Sequence, residues 1–108
     1  PVIQQLTVQQ LKERLETGAD IPMILDVREP WECAICSLPG ATVISMREIP
    51  ARVAELPRNM EIAVLCHHGV RSQRVANFLQ SAGFEKLSNI VGGINAWANE
   101  IDPAMAKY

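Results

Sequence analysis

The segment IAVLCHHGVRS, residues 62–72, contains the pattern that organises the whole chain. Its first five residues are an apolar run of the length and composition of a strand buried on both faces. A short loop containing Gly69 follows, and residues 71–82 then carry apolar side chains at helical spacing, with Gly83 as the predicted helix end. A buried strand joined by a short loop to a helix is the repeating unit of a parallel α/β sheet.

Three further apolar runs are predicted as strands: MILDV at 23–27, ATVIS at 41–45 and LSNIV at 87–91. Helical patterns alternate with them, and the strands are apolar on both faces. The sequence therefore predicts an α/β fold with a mostly parallel sheet. In such sheets ligands bind beyond the carboxyl ends of the strands, where MILDV and IAVLC both lead into chemically capable side chains.

Three helices besides the one over 71–82 are predicted. Thr7 and Gln10 form a capping-box pattern for the first, whose apolar face contains Val8, Leu11 and Leu15 and which ends at Gly18. The second covers 47–56, with Ile49, Val53 and Leu56 on one face and Pro50 in its first turn. The third is INAWANE after Gly92 and Gly93. Residues 28–40, which contain Pro30, Pro39 and Gly40, are predicted as a long loop.

Size and composition limit the classes of protein to consider. The 108 residues are 48% hydrophobic and 20% charged, which predicts one globular domain over 1–108. A net charge of −2 argues against nucleic-acid binding. The five residues of IAVLC are the longest apolar run, so neither a membrane span nor a signal peptide is expected. An odd count of three cysteines without a secretory signal indicates reduced thiols and a cytoplasmic location.

Cys66 allows two interpretations at this stage. A cysteine at the end of an apolar strand is most often a small buried hydrophobe. However, a strand–loop–helix unit directs backbone N–H groups and the positive end of a helix dipole into one concavity. A thiol at the rim of this concavity would be a reactive thiolate. His67, His68 and Arg71 add positive charge around the same sulfur, which suits an anionic substrate.

A metal site and a redox pair are the other readings of the cysteines. Zinc would need Cys33, Cys36, Cys66 and a histidine, but adjacent Cys-His side chains rarely converge and the paired ligand spacing is missing. A redox C-x-x-C usually opens a helix, whereas Cys33 and Cys36 are predicted to lie within a loop. Two incidental thiols are therefore favoured there.

Residues around the other strand end are assigned supporting roles. We expect Asp26 and Arg28 to pin the loop through ion pairs with neighbours such as Glu29 or Glu32. The two tryptophans, Trp31 and Trp97, are expected to be core or pocket wall.

Three segments in order resemble the rhodanese (sulfurtransferase) family, over about Leu6 to Trp97. LDVREPWE (25–32) with LPGATVI (38–44) resembles its first signature, CHHGVRS (66–72) its active-site loop, and GFEKLSNIVGGINAW (83–97) its closing segment. The chain departs from the family in having Cys36-Ser37 where Gly-His is usual, and Cys33 where an aromatic residue is usual.

The resemblance implies a sheet of about five mostly parallel strands with helices on both faces. It implies that Cys66 attacks the outer sulfur of a donor such as thiosulfate, becomes a persulfide, and passes the sulfur to cyanide or a thiol. The N–H groups of residues 67–71 would cradle that sulfur, and Arg71, with His67 or His68, would receive the donor's sulfonate. The substrate loop that the resemblance implies comprises His67, His68, Gly69, Val70, Arg71 and Ser72. Asp26, Arg28 and Trp97 are expected to support this loop. No cofactor or metal is expected.

Two alternatives within this fold remain. Related cell-cycle phosphatases and arsenate reductases use seven residues from Cys to Arg, whereas Cys66 to Arg71 counts six, a smaller cradle that favours sulfur. The chain could also be a persulfide carrier that acts with a protein donor or acceptor.

Overall fold

The structure is a computed structural model that describes residues 2–108, so Pro1 of the predicted 1–108 domain lies outside the described residues. Its sheet has five strands, all paired in parallel in the order β1-β5-β4-β2-β3. The strands are β1 (Gln4–Leu6), β2 (Met23–Asp26), β3 (Thr42–Val43), β4 (Ile62–Leu65) and β5 (Leu87–Ile90). The predicted α/β fold with a mostly parallel five-stranded sheet is confirmed.

Five α-helices connect or flank the strands: α1 (Val8–Thr17), α2 (Pro30–Ile35), α3 (Ile49–Arg52), α4 (Val70–Ser81) and α5 (Gly93–Glu100). The first begins and ends as predicted. Thr7 and Gln10 form the capping box, and Gly18 ends the helix in the left-handed conformation. Leu15, however, is exposed, and the buried residues of this helix are Val8 and Leu11.

The side chains of the strands alternate between two core clusters, one on each face of the sheet. Leu25, Val64 and Leu87 face α3 and α4. Ile24, Leu65 and Ile90 face α1 and α5. Burial on both faces explains why each strand reads as a continuous apolar run. Of the apolar side chains at helical spacing in α4, Val75 and Leu79 are buried, whereas Phe78 is 41% exposed.

Two predicted elements are corrected. Residues 28–40 are not a continuous loop, because Pro30–Ile35 form α2, with Pro30 in its first turn and Glu29 and Glu32 as a capping box. The helix predicted over 47–56 is split: a 3₁₀ turn, Met46–Glu48, precedes α3 and another, Val53–Glu55, follows it. Pro50 does lie in the first turn of α3, and Ile49 and Leu56 are buried as predicted.

A helix that crosses a membrane must be both long and apolar. Among the helices of residues 2–108, none combines the length and the hydropathy that crossing a bilayer requires.

Candidate active site

Cys66 directly follows β4 at the carboxyl edge of the sheet, in the middle of the strand order. Its side chain is 1% exposed. The Gly69 N–H donates a hydrogen bond to Cys66 Sγ at 3.0 Å, and the thiol donates to Ser72 Oγ at 3.2 Å. The sulfur therefore lies inside the turn made by its own loop and the start of α4.

The beginning of α5 holds this loop from the other side. Ile94 N–H donates to the Cys66 carbonyl at 2.9 Å, and Asn95 N–H donates to the His67 carbonyl at 3.0 Å. Because C=O and N–H of a planar trans peptide point in opposite directions, the N–H groups after these carbonyls are directed away from α5. Gly93 permits the close approach: a Cβ there would lie 2.4 Å from the Cys66 carbonyl oxygen, and its φ is +60°.

Asn89 is a buried polar residue of the site that was not predicted. The Ser72 hydroxyl donates to Asn89 Oδ1 at 2.5 Å, and Asn89 Nδ2 donates to the Gly69 carbonyl at 3.4 Å and to Gln5 Oε1 at 3.1 Å. Asn89 thus links the serine beside the sulfur to the glycine above it. The available signal was an amide inside the apolar run LSNIV, since buried polar side chains are normally hydrogen-bonded.

Arg71 leaves the loop to pair with Glu32 of α2. Its two terminal nitrogens contact the two carboxylate oxygens at 2.6 Å each, and Glu32 is 3% exposed. The Arg71 hydrogen bonds lower the pKa of Glu32 to about 2, although burial opposes this shift. The same pair raises the pKa of Arg71. The loop's arginine therefore has its charge balanced by a carboxylate that stays ionised.

The family model described as Rhodanese-like domain matches residues 7–100. The chain belongs to the rhodanese-like family. A sulfurtransferase of Allochromatium vinosum is 30% identical over 97% of this chain and 97% of its own length. The Rhodanese-like/PpiC domain-containing protein 12, chloroplastic, of Arabidopsis thaliana is 37% identical over 98% of this chain, which spans only 38% of that protein.

A solved structure agrees with these relatives. The crystal structure of a rhodanese-like domain protein from Staphylococcus aureus superposes with a TM-score of 0.83 and 31% identity, covering 92% of this chain and 95% of that one. Both the resemblance and the fold predicted from the sequence are confirmed. Sulfur transfer is accordingly the general activity that membership of this family supports.

Asp26 and Arg28 of this rhodanese-like domain pair with each other, not with the carboxylates of Glu29 or Glu32 as expected. The two side chains are fully buried, and Arg28 Nη2 lies 2.7 Å from Asp26 Oδ2. Burial disfavours the charged form of Arg28, but its bonds to Asp26 and Tyr108 outweigh this and raise its pKa. Arg28 Nη2 also donates to the Cys36 carbonyl at 2.8 Å, so the pair holds the end of α2 against the sheet.

Tyr108 covers the flank of the active-site loop. Its ring stacks on His67 with centroids 3.8 Å apart and planes 9° apart, and its hydroxyl donates to Glu32 Oε2 at 2.7 Å. Burial, followed by the charge of neighbouring His68, lowers the pKa of His67, so this ring favours its neutral form. His68 is exposed beside it, with ring centroids 4.0 Å apart.

The tryptophans differ in environment. Trp31 is 62% exposed and meets Tyr108 edge-on at 5.9 Å, so of the two expected positions, core or pocket wall, the core position is wrong. Trp97 is half-buried against the core cluster that faces α1 and α5. Its supporting role stays a prediction.

Cys33 lies within α2 and not in a loop, whereas Cys36 is the C-cap residue that begins the loop after this helix. The Cys33 thiol approaches Asp26 Oδ2 at 3.7 Å, and burial raises its pKa. All three cysteines are free. Over residues 2–108, no group of three or more His, Cys, Asp or Glu side chains converges in a way that could hold a metal ion.

Proposed function

We propose that this chain is a sulfurtransferase that carries sulfane sulfur as a persulfide on Cys66. With thiosulfate as donor, the Cys66 thiolate attacks the outer sulfur and the S–S bond breaks. Its electron pair leaves on sulfite, and Cys66–S–S⁻ remains. An acceptor, cyanide or a thiol, then attacks the outer sulfur, forms thiocyanate or a new persulfide, and restores the thiolate. This double displacement predicts ping-pong kinetics.

The observation that carries the proposal is the Gly69 N–H directed at Cys66 Sγ from 3.0 Å, in a loop whose carbonyls are held by α5. Preorganised N–H donors stabilise a negative charge that develops on sulfur, because they need no reorganisation during the reaction. The first N–H groups of α4 have no partner within the helix, and the loop that carries Cys66 leads directly into them. His67, His68 and Val70 contribute backbone to this cradle, and a six-residue loop suits a single sulfur atom.

Ser72 is the side chain that contacts the sulfur. Its hydroxyl accepts from the Cys66 thiol while it donates its own proton to Asn89 Oδ1, so the sulfur is connected to a buried hydrogen-bonded chain. A thiol acceptor fits a reducing compartment such as the cytoplasm, where three free cysteines remain reduced.

Steady-state kinetics with thiosulfate and cyanide test this function. We expect parallel double-reciprocal lines for the wild type and no thiocyanate from Cys66→Ser. Cys33→Ser is the matched control, since it removes a thiol from the same molecule and should retain turnover. Activity that survives in Cys66→Ser would refute the assignment of the nucleophile.

A further inference from the structure

Glu32 immobilises Arg71, the loop arginine that was expected, with His67 or His68, to receive a sulfonate. Both terminal nitrogens of Arg71 are engaged at 2.6 Å. Glu32 is itself fixed by two further bonds, from the Glu29 N–H at 3.0 Å and from the Tyr108 hydroxyl at 2.7 Å. Releasing Arg71 toward a substrate would leave a buried carboxylate without its counter-charge, which is strongly unfavourable.

The other charges nearby do not replace the one that Glu32 neutralises. Arg28 is fully buried and paired with Asp26. His67 favours its neutral form beneath Tyr108. Backbone N–H groups attract an anion at short range and act on one sulfur. Thiosulfate is a dianion whose sulfonate would extend outside that cradle, and none of Arg28, His67 and Arg71 offers it an unpaired positive charge.

Two exposed apolar residues are sequence neighbours of this ion pair. Trp31 adjoins Glu32 in sequence and Val70 adjoins Arg71, and each is 62% exposed. Burying apolar side chains against an apolar group of a ligand is favourable. The exposed side chains of Trp31 and Val70 can therefore pack against the organic group of a donor, whereas a charged sulfonate gains nothing from an apolar contact.

We propose that Glu32 makes this site select organic hydropersulfides, R–S–SH, over sulfonate-bearing donors such as thiosulfate. The inference rests on the proposed sulfurtransferase function. The Cys66 thiolate attacks the outer sulfur, the S–S bond breaks, and the electron pair leaves on the inner sulfur as the thiolate R–S⁻. Cys66–S–SH is the product. The leaving thiolate bears one charge on sulfur, whereas sulfite bears two on an oxyanion, so no free arginine is needed.

The test compares donors within each variant. The second-order rate constant for loading Cys66, kcat/KM, is measured by rapid-quench mass spectrometry. The two donors are thiosulfate and a hydropersulfide whose alkyl group carries no charge. The proteins are wild type, E32Q and E32Q/R71Q. Taking the ratio of the two donors within one variant cancels any loss of folded protein. Comparing this ratio between variants also cancels the intrinsic difference in reactivity between the two donors.

We expect E32Q to lower the hydropersulfide-to-thiosulfate ratio by about tenfold, because Arg71 is freed to bind the sulfonate. The double variant should return to the wild-type ratio within about twofold, because a paired Arg71 contributes nothing to thiosulfate binding. A double variant that loses thiosulfate loading selectively, or an E32Q ratio equal to that of the wild type, would overturn this role of Glu32. Absence of sulfur on Cys66 with both donors would instead refute the sulfurtransferase function.

Discussion

Replacing Gly93 by alanine should separate α5 from the active-site loop. A Cβ at this position would lie 2.4 Å from the Cys66 carbonyl oxygen and 2.5 Å from the His67 carbonyl oxygen. Both obstacles are backbone atoms, so no side-chain rotation relieves the contact. The backbone must separate by about 0.6 Å to reach the 3.0 Å that real Cβ contacts respect.

The expected cost has two sources. An alanine at φ +60° is strained by about 1–2 kcal/mol. Separation also weakens the bonds that Ile94 and Asn95 donate to the loop, each worth about 1 kcal/mol. We therefore expect Gly93→Ala to lower the free energy of unfolding by about 3 kcal/mol. Because the displaced loop carries Cys66, sulfur loading should also fall by about 10–100-fold.

Gly40→Ala is the matched control. Gly40 also has a positive φ, +81°, but a Cβ there would meet nothing within 4 Å. Its substitution should cost only the strain, about 1 kcal/mol, and leave loading within about twofold. Urea unfolding and single-turnover loading measure both quantities. Equal destabilisation by the two alanines, with equal loading rates, would refute the account of how α5 holds the loop.

Three further predictions concern the hydrogen-bonded groups of the site. Asn89→Ala and Ser72→Ala should each slow sulfur loading by about tenfold. The two losses should not add in the double variant, because both residues act through one chain of hydrogen bonds. Additive losses in a double-mutant cycle would contradict this. Tyr108 is the single tyrosine, and burial together with the Glu32 carboxylate raises its pKa to about 12. The tyrosinate absorbance of the folded protein should therefore appear about two pH units above that of the protein unfolded in urea. A midpoint near pH 10 in the folded protein would be contrary evidence. The pKa of Glu32 is lowered from 4.5 to about 2, so its stabilising effect is complete above pH 4.5 and is lost as the pH falls toward 2. The difference in unfolding free energy between wild type and E32Q should shrink over that range, and a constant difference would argue against the ion pair.

The elements with strong apolar periodicity were predictable from the sequence. Buried strands such as IAVLC read as continuous runs because both of their faces are covered, and Thr7, Gln10 and Gly18 carry local capping signals for α1. The short helix α2 was missed for a physical reason. Its capping box is made of two glutamates, and Pro30 marks a helix start as readily as a loop.

The position of Cys66 within a strand–loop–helix unit followed from the sequence, but its electrostatic surroundings did not. Arg71 and Glu32 lie 39 residues apart, and Tyr108 is 76 residues from Glu32. Such pairings depend on where the parallel sheet brings α2 and the end of the chain, and no local pattern encodes them. The same holds for Asn89, whose register on β5 places it opposite Val64 and beneath the loop.

Intact-mass spectrometry of the protein under single-turnover conditions tests the central claim most directly. On treatment with a sulfane-sulfur donor, the wild type should gain the mass of one sulfur atom, located on Cys66 by peptide mapping, and lose it when cyanide is added. Cys66→Ser should gain none. A wild type that stays at its original mass, or a sulfur atom carried by Cys33 or Cys36 while Cys66 remains unmodified, would contradict the persulfide mechanism.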